Sequence, residues 1–220
     1  MLILNKTLEP ADYEREDFQE VLSRVDCYMA EGAPQHPHRR WEYAVALIAI
    51  EDWIARHPGP TVGRRYLDVG GSGSPFWRML PSQQVIVVDP LEGQDLAGYL
   101  QTDGRMADVV TCLSVLEHVE DLEGFLYHLG CVVKPSGLLV LTMDCCGCAG
   151  VHYVLNPDAH HFCWMRKRTF TPLARQRLIA TYTEYGELSS FTLVGAFDPI
   201  YHGPHIYDYS FCALVMEKRR

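Results

Sequence analysis

Hydrophobic and polar residues follow one another along the chain in blocks that predict both strands and helices. Continuous apolar runs bounded by polar turns are typical of strands buried on both faces of a sheet. Six such runs are present, at residues 66–69, 85–88, 107–114, 138–143, 191–197 and 207–216. Apolar residues at helical spacing predict helices over residues 11–30, 39–56, 122–133 and 171–183. Strands that alternate with helices indicate an α/β fold with a largely parallel sheet.

The segment from Tyr66 to Pro90 predicts one nucleotide-binding half of a doubly wound fold. Its first strand is followed at once by Gly70 and Gly71, where no side chain separates the backbone from a ligand. The next strand ends at Asp89, and an acid in that position accepts hydrogen bonds from a ribose diol. The glycines lack the G-x-G-x-x-G spacing of a dinucleotide site, which makes an NAD-dependent oxidoreductase a remote alternative.

Composition is typical of a globular protein with one domain. The chain has 220 residues, of which 48% are hydrophobic and 21% charged, enough for one complete α/β core. Its formal charge of −9 argues against a broad nucleic-acid-binding face. We recognise no signal peptide and no membrane-spanning stretch, and in that setting the eight cysteines favour free thiols over a disulfide framework. We therefore expect a cytoplasmic protein whose partner is a small molecule rather than a membrane or a nucleic acid.

Three motifs in a consistent order resemble those of class I S-adenosylmethionine-dependent methyltransferases. Residues 68–74, D-V-G-G-S-G-S, resemble the family's D-x-G-x-G-x-G, with serine in place of two glycines. Residues 108–119 contain D-V-V and V-L-E-H-V, which resemble the small-molecule and type-11 branches. Residues 134–137 form a K-P-x-G turn before an apolar strand. On these motifs the chain is identified as a member of that family.

The resemblance implies a three-layer, doubly wound α/β sheet. We expect seven strands, mostly parallel, with an antiparallel C-terminal hairpin. Residues 1–60 would form an N-terminal helical lid across the cofactor-bearing end, and residues 61–220 the methyltransferase domain, in a single compact unit.

The resemblance also implies S-adenosylmethionine as the cofactor. The residues that we expect to contact it are Arg40, Tyr43, Asp68, Gly70, Gly71, Ser72, Asp89, Pro90, Asp103, Leu113 and Ser114. An arginine can hold the cofactor's carboxylate through a bidentate pair, and a solvated Arg40 beside a buried aromatic is the structural alternative. Asp103 would face the adenine amino group, although its T-D-G context is equally typical of a surface turn.

Acceptor-side candidates are fewer and rest on residue type. They are His118, His152, His161 and Arg168. Histidine titrates near neutral pH and can take a proton from an acceptor. The structural alternatives are a satisfied histidine near a helix start for His118, and a solvated basic turn for Arg168.

Cysteines and histidines between residues 145 and 163 raise the question of a metal. Cys145-x-x-Cys148 followed by His160-x-x-Cys163 could form a four-coordinate zinc site. The second pair is a less usual knuckle, and cysteines in apolar segments elsewhere indicate that the chain uses cysteine as a small hydrophobe. We expect no metal.

The sequence thus predicts a methyltransferase that acts on a small-molecule or saccharide-like acceptor. Methyl transfer is an in-line displacement, so we expect the protein to accelerate it mainly by holding the acceptor in line with the methyl group. The two serines in the glycine motif leave one alternative from another class, which is an S-adenosylmethionine-binding protein without turnover.

Overall fold

A computed structural model describes residues 5–6, 10–29, 37–60, 63–72, 76–80, 84–145, 188, 190–195, 197–198 and 210–220. The predicted helix at 171–183, the candidates His152, His161 and Arg168, and all but the first residue of the cysteine-histidine segment lie outside the described residues.

The described part of the chain contains four α-helices. They are α1 (Glu16–Met29), α2 (Pro37–Arg56), α3 (Leu96–Thr102) and α4 (Leu122–Val132). Short 3-10 turns span Pro10–Glu14, Phe76–Met79, Pro90–Glu92 and Leu116–His118. Asp95 and Asp121 each cap the first turn of a helix, because their side chains accept hydrogen bonds from the N–H groups of Gly98 (2.6 Å) and Gly124 (3.0 Å).

Eight strands form two sheets in this part of the chain. The strands are β1 (Asn5–Lys6), β2 (Tyr66–Val69), β3 (Val85–Val88), β4 (Ala107–Leu113), β5 (Val133–Cys145), β6 (Phe191–Leu193), β7 (Phe197–Asp198) and β8 (Ser210–Lys218). The main sheet has the order β3-β2-β4-β5-β8-β6, and β1 pairs with β7. Strands β3, β2, β4 and β5 are parallel, whereas β8 is antiparallel to both β5 and β6. The predicted mostly parallel sheet with an antiparallel C-terminal pair is confirmed.

The strand count differs from the prediction. Among the described residues the main sheet has six strands and not seven. Residues 89–106, which are described throughout and contain no predicted strand, form a 3-10 turn and α3. The run predicted as one strand over 191–197 is also divided, because Gly195 adopts a φ of 85° and the chain leaves the main sheet there. Its second part, β7, pairs with β1 instead.

Helices cover both faces of the main sheet, which confirms the three-layer architecture. Alternate residues of a strand point to opposite faces. Tyr66 and Val109 pack in one core with α1 and α2. Their neighbours Leu67 and Val110 pack in the other core with α3 and α4.

The predicted lid helix α2 lies along one face of the sheet rather than across its end. The indole N–H of Trp53, near the end of α2, donates to the carbonyl of Ser136 near the start of β5 (3.0 Å). At the other end of α2, Glu42 reaches Ser114 and Thr142 at the carboxyl ends of β4 and β5. Only the beginning of α2 therefore borders the edge at which ligands of open α/β sheets bind.

None of the helices in the described residues has the length and apolar character that a membrane span requires.

Candidate functional site

A cavity of about 570 Å³ opens at the carboxyl ends of β2, β3 and β4. Six of the residues predicted from the sequence line it, namely Gly70, Ser72, Asp89, Pro90, Ser114 and His118. The chain brings them together because the carboxyl ends of parallel strands meet at one edge of a sheet, where ligands of such folds bind. The first turn of α4 and the beginning of α3 form the opposite wall.

The glycine turn after β2 is packed tightly on two sides. Gly70 has a φ of 76° and its N–H donates to the carbonyl of Val88 (2.8 Å). A Cβ atom at Gly70 would overlap the side chain of Val115, and one at Gly71 would overlap the carboxylate of Asp68. Residues with side chains are therefore excluded at both positions, and the backbone of the turn itself faces the cavity.

Asp89 ties this turn to the segment that follows β3. Its side chain is 6% exposed. One carboxylate oxygen accepts a hydrogen bond from the N–H of Ser72 (2.9 Å) and the other from the N–H of Leu91 (2.8 Å). A carboxylate has about four acceptor sites, so these two bonds leave capacity for the hydroxyl groups of a ligand.

Asp68 lies beneath the turn and is 2% exposed. Its Oδ1 accepts a hydrogen bond from the Thr111 hydroxyl (2.7 Å), whereas its Oδ2 has no hydrogen-bond partner among the described residues. Burial raises the pKa of Asp68 from 3.8 to about 6, and the charge of Asp89 adds to the rise. A buried acceptor without a donor is rare in native proteins and calls for an explanation.

A second buried carboxylate, Glu42, stands at the same edge and is fully enclosed. Its Oε1 accepts hydrogen bonds from the hydroxyls of Ser114 and Thr142, the latter at 2.5 Å. Its Oε2 is 3.1 Å from Nη1 of Arg39. That same Nη1 lies 3.4 Å from the carbonyl oxygen of Leu113, the last residue of β4.

Six of the predicted cofactor residues do not line the cavity, namely Asp68 and Gly71 of the segment described above, and Arg40, Tyr43, Asp103 and Leu113. Arg40 faces α1 and binds both carboxylate oxygens of Asp26 (2.6 and 2.5 Å). Tyr43 is buried, with its ring centroid 5.3 Å from that of Phe76. Asp103 caps the end of α3 and pairs with Arg105, which lowers its pKa. Leu113 is buried at the end of β4.

The acceptor-side candidates are only partly described. His118 is an exposed residue of the cavity wall, at the end of the 3-10 turn after β4, and His128 of α4 lines the same cavity. No group of three or more metal-binding side chains occurs in the described residues, which leave out 146–187.

Sequence reasoning assigned no role to Arg39, Glu42 or Thr142, although Glu42 lies in the stretch R-W-E-Y that contains the predicted Arg40 and Tyr43. Glu42 also carried a second signal, which is its position inside the apolar run W-E-Y-A-V-A-L of α2. A carboxylate in a buried stretch must find donors, because burying an unpaired charge is costly. Its donors, however, lie 72 and 100 residues further along the chain, where the helix pattern gives no indication of them.

Comparison with known families identifies the chain. A family model described as "Methyltransferase domain" matches residues 38–177, which contain the glycine turn, Asp89 and Ser114. The chain belongs to this methyltransferase family. The predicted class I S-adenosylmethionine-dependent methyltransferase, with S-adenosylmethionine as its cofactor, is thereby confirmed at the level of the family.

Curated relatives cover only part of the chain. It is 30% identical over 168 residues to "Ubiquinone biosynthesis O-methyltransferase" of Azorhizobium caulinodans, which is 63% of each protein. It is also 30% identical over 125 residues to the protein of the same name from Rickettsia typhi, which is 48% of each. The chain thus spans about half to two thirds of the length of these relatives.

A solved structure shows the same fold. The plantazolicin methyltransferase BpumL, in complex with a triazolic desmethylPZN analog and SAH, has a TM-score of 0.56 to this chain at 11% identity. The similarity covers 94% of this chain and 93% of that one.

Proposed function

We propose that this protein transfers the methyl group of S-adenosylmethionine to a hydroxyl group of a small-molecule acceptor. The family supports the reaction type. The two relatives described above are named as O-methyltransferases, which supports oxygen as the accepting atom. The observation that carries the proposal is the cavity over the glycine turn, where Asp89 and Ser114 meet at the carboxyl edge of the sheet.

The residues of this edge fit the chemistry of the cofactor. Asp89 keeps acceptor capacity for a ribose diol beside its two backbone bonds. Gly70 and Gly71 allow the turn to pack closely against Val115 and Asp68, and Gly70 lines the cavity without a side chain. Asp68 does not line the cavity, but its buried carboxylate lies beneath the turn, and a negative charge there favours a ligand that carries an ammonium and a sulfonium charge.

The bound cofactor supplies a methyl group that is already activated on sulfur. The work of the chain is to bind, to orient and to exclude water. Asp89 would hold the ribose, Ser114 and Val115 would wall the cavity on the β4 side, and the turn would set the distance of closest approach. An acceptor hydroxyl must also lose its proton, and we propose that His118, on the cavity wall, takes it.

The test is transfer of a labelled methyl group from S-adenosylmethionine to a panel of phenols, catechols, sugars and amines. We expect label on the oxygen of at least one phenolic or alcoholic compound. Label on the sugars alone would specify a saccharide acceptor, and label on amines alone would contradict the proposed oxygen chemistry.

The alternative of a binding protein without turnover gives a different result in the same assay. Cofactor binding without transfer to any compound of the panel would favour that alternative. A His118→Asn variant serves as the matched probe, because it should lower turnover at least tenfold while the cofactor affinity stays within about twofold.

A further inference from the structure

We propose that Glu42 is a positioning residue for the amino-acid end of the cofactor, which it serves by holding Ser114 and Arg39 at the carboxyl end of β4. This inference rests on the proposed function, since it concerns the same cofactor. It assigns to Arg39, which lies near Glu42 and the Leu113 carbonyl, the role that the sequence predicted for Arg40.

The complete burial of the Glu42 carboxylate needs a structural or functional explanation, because burying a charge lowers stability. Its side chain is 0% exposed, and its helix neighbours Trp41 and Tyr43 are 1% and 5% exposed. A carboxylate in such surroundings is costly unless it is paired and fully hydrogen-bonded, and hydrophobic residues in its place are often as stable. Stability alone therefore does not explain why a carboxylate occupies this position.

The donors to Glu42 converge on one residue of the cavity wall. The Ser114 hydroxyl donates to Oε1 of Glu42, and so does the Thr142 hydroxyl. Thr142 in turn accepts a hydrogen bond from the backbone N–H of Ser114 (3.0 Å). Ser114 is thus held at its side chain and at its backbone by a single network anchored on Glu42.

The backbone of Ser114 needs that support. Its φ is 52°, a left-handed conformation that costs energy for a residue with a side chain. Such conformations persist where the surroundings over-determine them, and they cluster at ligand sites. Ser114 is such a case, because it directly follows β4 and lines the cavity.

The other oxygen of Glu42 orients a cation at the same strand end. Oε2 is 3.1 Å from Nη1 of Arg39, which also lies 3.4 Å from the Leu113 carbonyl. The Arg39 side chain is 35% exposed, so the guanidinium reaches the edge of the sheet rather than the core. Arg40, the next residue, turns about 100° away on the helix and binds Asp26 on α1.

The order of the strands places this cation at one end of the ligand. Asp89 follows β3, Gly70 follows β2 and Leu113 ends β4, and these three strands are neighbours in that order. A cofactor whose ribose is bound at Asp89 and which crosses Gly70 reaches β4 with its amino-acid end. The carboxylate at that end is the group that a guanidinium binds best.

The experiment compares two ligands by calorimetric titration of the full chain. S-adenosylhomocysteine has the amino-acid end, whereas 5′-methylthioadenosine lacks it. In Glu42→Gln we expect the affinity for S-adenosylhomocysteine to fall at least tenfold and that for methylthioadenosine to change less than twofold. The matched control is Glu51→Gln on the same helix, whose carboxylate pairs with Arg24 at the surface (2.5 Å) and which should leave both affinities unchanged.

A double variant tests whether Glu42 affects cofactor binding by holding Ser114 in place. If Glu42 acts through this residue, Ser114→Ala combined with Glu42→Gln weakens S-adenosylhomocysteine binding by less than the product of the single effects. If Glu42→Gln does not fold, Thr142→Val can be used, because it removes one donor of the same network. It should also weaken S-adenosylhomocysteine binding more than methylthioadenosine binding, by a smaller factor than Glu42→Gln.

Three outcomes would overturn the inference. Equal loss of both ligands would make Glu42 a general structural residue. If the Glu42→Gln variant folds, is less stable and binds both ligands with wild-type affinity, Glu42 is likewise a general structural residue. If the effects of Glu42→Gln and Ser114→Ala are fully additive, Glu42 does not act through Ser114. A wild-type chain that binds neither ligand contradicts the proposed function itself, and the inference falls with it.

Discussion

Two buried carboxylates at the same edge of the sheet, Asp68 and Glu42, have opposite surroundings. Both oxygens of Glu42 are bonded, by two hydroxyls and a guanidinium. Asp68 has one hydroxyl donor, from Thr111, and its other oxygen has no partner among the described residues. The protein completes the surroundings of Glu42 by itself and leaves those of Asp68 incomplete. We propose that the first is a positioning residue for the cofactor, and that the buried charge of the second favours a cationic ligand at this edge of the sheet.

The incomplete surroundings of Asp68 make the stability of the protein depend on pH. Because burial raises the pKa of Asp68 to about 6, the folded state favours its protonated form. The stabilisation that Asp68 contributes is therefore fully present below its ordinary pKa of 3.8 and is lost as the pH rises through about 6. At neutral pH the apo protein carries this charge at a cost, which a bound cation would offset.

Removal of Glu42 is the change with the largest expected effect. Glu42→Ala leaves Arg39 and two hydroxyls without their acceptor, and breaking a buried pair in this way costs about 4 kcal/mol of unfolding free energy. Urea denaturation measures it. The control is Glu51→Ala, an exposed pair, which should cost less than about 1 kcal/mol. Equal losses in the two variants would contradict the distinction between a completed buried network and a surface pair.

Removal of Asp89 should have the next largest effect, this time on the ligand. Asp89→Ala removes the proposed acceptor of the ribose hydroxyls, and two charge-assisted hydrogen bonds of about 1.5 kcal/mol each correspond to a loss of roughly 100-fold in affinity for S-adenosylmethionine. Titration calorimetry on a variant with a native circular dichroism spectrum measures the loss. Unchanged affinity in that variant would show that the ribose is not held at the end of β3.

Neutralisation of Asp68 should have a smaller effect and the opposite sign. We expect Asp68→Asn to raise the unfolding free energy at pH 7.5 by about 2 kcal/mol, because it removes a charge whose pKa is raised by burial. At pH 4 the gain should vanish, since the wild-type residue is then protonated in the folded state. Urea denaturation at the two values of pH provides the comparison, and a gain of equal size at both would exclude the charge as its cause.

The smallest effect is expected in the pH dependence of cofactor binding. A cationic ligand favours the ionised form of Asp68, so the affinity for S-adenosylmethionine should rise about tenfold from pH 5 to pH 7 and then level off. In Asp68→Asn this rise should be clearly smaller than in the wild type. An unchanged rise in the variant would assign the titration to another group, such as His118 on the cavity wall.

The central part of this site could be predicted because its signals are local in sequence. Gly70 follows an apolar run directly, and Asp89 ends the next one, so each residue marks the end of a strand. Parallel strands then bring these ends to one edge without further information. The match of the predicted strand at 66–69 with β2 and that at 85–88 with β3 rests on the same continuous hydrophobicity.

The α2 side of the site could not be predicted in the same way. Nearly every residue from Trp41 to Ile50 is buried, so the helix has no polar face by which Arg39 could be distinguished from Arg40. The choice depends on partners that come from other elements, namely Asp26 on α1 for Arg40 and Glu42 with the Leu113 carbonyl for Arg39. The break of the predicted strand at Gly195 likewise depends on the pairing of β7 with β1.

The measurement that tests the central claim most directly is calorimetric titration of the purified protein with S-adenosylmethionine, S-adenosylhomocysteine and NAD. Asp89, the glycine turn and the incomplete surroundings of Asp68 predict micromolar binding of the two sulfur compounds and none of NAD. Absence of binding by both sulfur compounds, or binding of NAD in their place, would contradict the account.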